Sequence, residues 1–181
     1  MRTNNPTYST GQLSALVILR MLIGWHLLYE GVAKLWSSGW SAAGYLNDSA
    51  GLFAGMFKAM AGSEGLMTVV NFLNVWGLIL IGLGLILGLA SRWAALGGVV
   101  LLVLYYLSHP PLIGVQYALP SEGNYLWVNK NLIEAAALLV VMLFPTEHIV
   151  GLARFFGRKS AQPVVTASGS TQPVSQEKAH A

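Results

Sequence analysis

Residues 13–35 read LSALVILRMLIGWHLLYEGVAKL, and the fold turns on this string. At about 1.5 Å per residue, a helix of this length crosses a hydrocarbon core of about 30 Å. Four ionisable residues interrupt it: Arg20, His26, Glu30 and Lys34. The charges lie inside the apolar run and no A-x-A-like site follows it, so it reads as an uncleaved first span and not as a signal peptide. At about 100° per residue, with Arg20 at zero, Lys34, Glu30 and His26 fall near −40°, −80° and −120°, and Gly24 and Gly31 near +40° and +20°. All six share one side of the helix. Trp25 and Tyr29 take the other side, where lipid is the natural neighbour.

The whole chain agrees with this start. It has 181 residues, 55% hydrophobic and 9% charged, with a mean hydropathy of +0.59. Ordinary soluble domains carry about 25% charged residues. So few charges cannot cover a water-exposed surface, which excludes a soluble enzyme, a nucleic-acid binder and a disordered regulator. The net charge is +3, with much of the basic excess in the last thirty residues or so. That excess reads as a topology signal. There is no cysteine, so disulfides, thiolate-ligated metals and thiol chemistry are excluded.

Further along, a second span is expected over about residues 66–90, closed by Ser91-Arg92. Its Gly84 and Gly88 form a GxxxG pattern that lets another helix come close. A third span over about residues 93–107 ends at Ser108-His109-Pro110-Pro111, where two prolines stop the helix. A Gly/Pro-containing loop with Glu122 leads to a fourth span over about 126–144, stopped by Pro145. Between the first two spans, Leu52, Phe53, Met56, Phe57 and Met60 recur on one helical face. They predict an amphipathic helix at the membrane interface or, equally, one packed over the bundle.

The expected organisation is a polar N-terminus (1–12), a membrane domain (13–150), and a basic flank with a disordered cytoplasmic tail (151–181). Arg2, Arg92, Arg154, Arg158 and Lys159 place both termini in the cytoplasm, with Lys34 and Lys58 in the first outer loop as exceptions. The fold expectation is all-α: a four-helix transmembrane bundle, N-in and C-in.

An ionisable residue within a span normally faces the bundle interior and marks a functional path. His26, Glu30 and Lys34 follow one another at i, i+4, as do Lys130 and Glu134. Tyr105 lies one turn before His109. With both termini inside, most of these groups gather in the outer half, and Arg20 lies deeper. The competing reading is structural: Glu30–Lys34 and Lys130–Glu134 as register-fixing ion pairs, with Lys34 and Lys130 snorkelling. His26 and His109 as axial haem ligands is a further, weaker alternative. No metal site is expected.

The residues Leu19-Arg20, Gly24 and Tyr29-Glu30-Gly31-Val32-Ala33-Lys34-Leu35 resemble the first-helix pattern of the DoxX/DoxD family of small four-helix membrane proteins. Glu122-Gly123-Asn124-Tyr125 and Val128-Asn129-Lys130-Asn131-Leu132-Ile133-Glu134 are similar to the start of that family's last helix. The resemblance spans roughly residues 13–150. It implies a multi-pass protein of the bacterial inner membrane and, through DoxD-like members, a subunit of a thiosulfate:quinone oxidoreductase. The family brings no established catalytic set, so the site candidates rest on their chemistry.

His26, Glu30 and Glu134 are the candidate catalytic groups, for proton donation and relay. Arg20, Lys34, Tyr105, His109 and Lys130 are the candidates for binding quinone or an oxyanion such as thiosulfate. Quinone is expected as a substrate, with no covalently bound cofactor. The expected partners are the lipid membrane, the quinone and a redox subunit that delivers electrons, with no nucleic acid. A non-catalytic anchor or assembly subunit is the alternative, and a small solute transporter the more remote one.

Overall fold

The computed structural model describes residues 8–118 and 126–156, and every regular element among them is helical. The first span is α1 (Thr10–Trp36), opened by a capping box in which the Ser9 hydroxyl accepts from the Gln12 amide and the Gln12 side chain returns the bond. Two short helices follow, α2 (Ala43–Asn47) and α3 (Ala54–Ala61). Two long antiparallel partners come next, α4 (Glu64–Leu87) and α5 (Ser91–Ser108), then α6 (Lys130–Leu143) and a last turn, α7 (Ala153–Phe156). Three helices, α1, α4 and α5, are long and apolar enough to cross a membrane. The chain is a multi-pass membrane protein.

Large apolar side chains are exposed along one side of α1. On α1, Ile18, Leu22, Trp25 and Tyr29 are exposed in one row, Trp25 by 63%. The opposite side of α1 packs with α4, α5 and α6 around Leu27, Leu78, Leu85, Leu102 and Leu138. Helix α6 begins later than its apolar run. Leu126 and Trp127 hold left-handed backbone, and the Asn129 side chain caps the helix by accepting from the Leu132 amide. The helix has 14 residues, about 21 Å of rise.

Glycine brings α1 and α4 together, though not chiefly through the GxxxG pair. A Cβ on Gly82 would lie 2.6 Å from the Leu28 amide nitrogen and 2.7 Å from the Gly24 carbonyl oxygen. Gly84 faces Ala94 of α5. Gly88 is the left-handed cap of α4, where the Leu89 amide bonds back to the Gly84 carbonyl in a Schellman arrangement.

The first inter-span segment forms its own small core from Ala42, Leu46, Phe57 and Met67. Asn71 on α4 anchors it, accepting from the Ala42 amide at 2.9 Å. Of the apolar face expected here, Phe57 is buried and Met60 packs beside it, whereas Leu52 is 94% exposed and Met56 and Phe53 are also exposed. The segment is thus a cap over one end of the bundle as well as an apolar surface. Glu122 and the tail beyond 156 lie outside the described residues.

Candidate functional site

At the capped end, the C-terminal half of α1, the first half of α4, the end of α5 and the start of α6 diverge around a cavity of about 820 Å³. Its floor is apolar, made of Leu27, Leu78 and Leu102. Its walls carry His26, Glu30, Lys34, Asn74, Tyr105 and Lys130. Helical spacing dictates the first three: one turn apart, they rise along the inward side of α1.

The pairing differs from the i, i+4 ladder. Lys34 pairs with Glu30 at 3.4 Å within α1, but His26 reaches across to α6, its Nδ1 lying 2.7 Å from Glu134 Oε1. Glu134 therefore sits behind His26, outside the cavity lining, and orients the imidazole. Its second oxygen, Oε2, is buried without a hydrogen-bond partner. The Lys34 ammonium lies over two rings, 5.5 Å from the Trp40 centroid and 5.6 Å from that of Tyr105. It is also near enough to Lys130 for the two cations to repel each other. The Tyr105 hydroxyl accepts from Asn74 Nδ2 at 2.7 Å.

His109 stands in the wall in a different state. Its ring is stacked on Tyr45 at 3.8 Å and covered from the other side of the site by Tyr117 at 4.6 Å. Nδ1 lies 3.1 Å from Ser108 Oγ, and Nε2 is buried facing Asp48 at 3.7 Å. Burial lowers the His109 pKa, against the pull of Asp48, and raises that of the Tyr45 and Tyr117 phenols. His109 thus lines the cavity with its ring held between neighbouring groups of the wall. The residue joins α5, α2 and the 110–118 loop, and its Nε2 is buried without a hydrogen-bond partner.

Arg20 departs from the site expectation. It is 2% exposed and lies away from the cavity, toward the opposite end of the bundle. Its guanidinium donates to Thr146 Oγ1 at 3.0 Å and to the Val150 carbonyl at 2.7 Å. It clamps α1 to the segment after α6.

Six of the eight expected site residues therefore meet at the cavity: His26, Glu30, Lys34, Tyr105, His109 and Lys130. Glu134 supports them from behind, His109 is locked into the wall, and Arg20 is remote. Sequence reasoning missed Asn74, Tyr45 and Asp48. Asn74 had a readable signal, an amide amid apolar residues of a span. An uncharged amide carries a weaker signal than the ionisable groups of the same cavity.

A family model for DoxX matches residues 15–110, more than half of the chain. The chain belongs to the DoxX family. No curated protein and no solved structure matches it. The DoxX match takes in α1 to α5 and thus most of the cavity wall, and it stops before α6.

Proposed function

We propose that this DoxX protein is the membrane subunit of a quinone-linked oxidoreductase of the thiosulfate:quinone kind, and that the cavity is its quinone site. The observation that carries this reading is the cavity itself. An apolar floor of leucines lies below a ring of proton-bearing groups, within the size range of small-molecule pockets. A quinone has the matching chemistry, an apolar ring with two carbonyl oxygens. Reduction delivers two electrons and two protons and turns each C=O into a ring O–H.

In this reading His26, held by Glu134, and Tyr105 offer hydrogens to the ring oxygens, while Glu30 passes protons from the surface. Lys34 and Lys130 stabilise negative charge on the ring or draw an oxyanion such as thiosulfate to the mouth. Joining two thiosulfate ions through a new S–S bond releases the two electrons required, and a partner redox subunit carries them. The orientation that fits the basic residues is N-in and C-in in a bacterial inner membrane, with α6 as a fourth span and the cavity in the outer half. The membrane domain then runs over residues 13–150, since α6 packs into the common core.

A non-catalytic anchor is the second reading. It is favoured by the Lys34–Glu30 ion pair and the His26–Glu134 hydrogen bond, which stabilise a bundle whether or not a ligand enters. Titration of the purified full chain in mild detergent with ubiquinone-1 and a short-chain menaquinone separates the two. The expected result is saturable binding weakened about tenfold by His26→Ala and less by Glu30→Gln. Absence of binding in the wild type, together with loss of complex assembly in both variants, would leave the anchor.

A further inference from the structure

Asn74 lies within α4, the most apolar of the spans, and is nine-tenths buried. It lines the cavity. Its Nδ2 donates to the Tyr105 hydroxyl at 2.7 Å, while its Oδ1 is buried and has no hydrogen-bond partner. A buried carbonyl oxygen without a donor is destabilising, and a leucine of similar shape would avoid that cost. Elsewhere in the cavity wall Glu30 is paired with Lys34, and His26 is hydrogen-bonded to Glu134. Among the described residues that line the cavity, Asn74 Oδ1 and His109 Nε2 are buried without hydrogen-bond partners, and Asn74 is the one bonded to the Tyr105 hydroxyl.

The chemistry of a matching ligand follows from the pair. With the amide as it stands, Asn74 offers an acceptor through Oδ1, and Tyr105, whose oxygen is taken by Nδ2, offers its own O–H as a donor. If the amide turns over, the Tyr105 hydroxyl donates to Oδ1, Nδ2 becomes the free donor, and the phenol oxygen becomes the free acceptor. Either way the pair presents one donor and one acceptor side by side. A ring hydroxyl satisfies both, because it accepts one hydrogen bond and donates another. A ring carbonyl accepts only, and it leaves the buried acceptor unpaired.

We infer that Asn74 and Tyr105 form a hydroxyl-reading pair that makes the cavity select the reduced, quinol form of its ligand over the quinone. Asn74 is then the specificity-determining residue of the site. Binding energy spent on the hydroxyl favours the product of reduction and draws electrons toward the bound ring. The inference rests on the quinone reading above.

The test measures the affinity of the full chain for ubiquinol-1, kept reduced under anaerobic conditions, and for ubiquinone-1, in the wild type and in Asn74→Leu. In the wild type the quinol is expected to bind about tenfold tighter, the effect of one additional hydrogen bond to a buried acceptor. In Asn74→Leu the quinol should weaken by about the same factor and the quinone by less than threefold, which brings the ratio near one. The melting temperature of this variant should hold or rise, since the unpaired carbonyl is gone.

The ratio in the wild type needs no variant, so it decides the matter even if Asn74→Leu does not fold. Equal affinities, or tighter quinone binding, in the wild type overturn the inference and leave the quinone site standing. Equal loss of both ligands in Asn74→Leu, with a lowered melting temperature, overturns it as well, because Asn74 would then act by holding the fold. Binding of neither form by the wild type removes the quinone site and this inference together.

Discussion

The two ends of the bundle use the same kinds of residue to opposite effect. At the Arg20 end the chain fills its own space. The guanidinium bonds Thr146 and Val150, and the Glu147 carboxylate adds its attraction. The Leu152 and Ala153 amides bond the Leu87 and Gly88 carbonyls at the close of α4, and Gly151 packs on Gly88. At the cavity end the helices part around about 820 Å³ of space. Buried polar atoms without hydrogen-bond partners occur at both ends, Asn74 Oδ1 and Glu134 Oε2 here and Arg20 Nε and Glu147 Oε2 there. A charge inside a membrane helix therefore has no fixed meaning. Where backbone and side chains close around it, it is a clamp, and where they leave room it becomes part of a site.

The largest expected effect tests the closed end. Arg20→Met keeps the apolar bulk but strips the donors from Thr146 and Val150 and removes a positive charge that attracts the buried Glu147 carboxylate. Breaking such a buried arrangement costs about 3–5 kcal/mol. Thermal unfolding in detergent should show that loss, while ligand affinity of the folded fraction stays unchanged. Altered affinity at unchanged stability would erase the contrast between the ends.

A smaller effect is expected where the two ends join. Gly82→Ala drives a Cβ into the backbone of Leu28 and Gly24, and overpacking of this kind costs about 1–3 kcal/mol. Gly77 is the control. A Cβ there meets nothing within 4 Å, so Gly77→Ala should be neutral or gain up to about 1 kcal/mol in helix propensity. Equal melting temperatures for the two variants would mean that the α1–α4 seam is not held by glycine.

The helical character and the inward side of α1 were legible because a span has one strong period: Arg20, Gly24 and Gly31 are buried and Trp25 and Tyr29 exposed, as the angles required. Which end each charge belongs to was not legible. A helical wheel gives direction around the axis and says nothing about what stands opposite at each level. Arg20 shares a side with Lys34 yet meets the Thr146–Val150 segment, more than a hundred residues away in sequence. His26 has Glu30 one turn away, yet it bonds Glu134, because α6 faces it at that level. The late start of α6 was hidden for a local reason: the left-handed turn at Leu126 and Trp127 is built from apolar residues that read as span.

The smallest effect probes the cavity wall through His109. Burial holds its imidazole below the ordinary histidine value, and Asp48 only partly offsets this. Facing it are the Asp48 carboxylate and the phenols of Tyr45 and Tyr117. Because the folded pKa lies below that of the unfolded chain, about 6.5, the unfolded chain takes up this proton first as the pH falls. The contribution of His109 to stability is thus complete above about pH 6.5 and is lost as the pH drops from there toward the folded value. His109→Phe keeps a ring between the two tyrosines and removes the titration, so its melting temperature should fall less between pH 7 and pH 5 than that of the wild type. Asp48→Asn removes the opposing carboxylate, lowers the folded pKa further and should steepen the fall. If the wild type and both variants lose stability in parallel over this range, His109 does not carry the acid sensitivity of the capped end, and the two ends differ in packing alone.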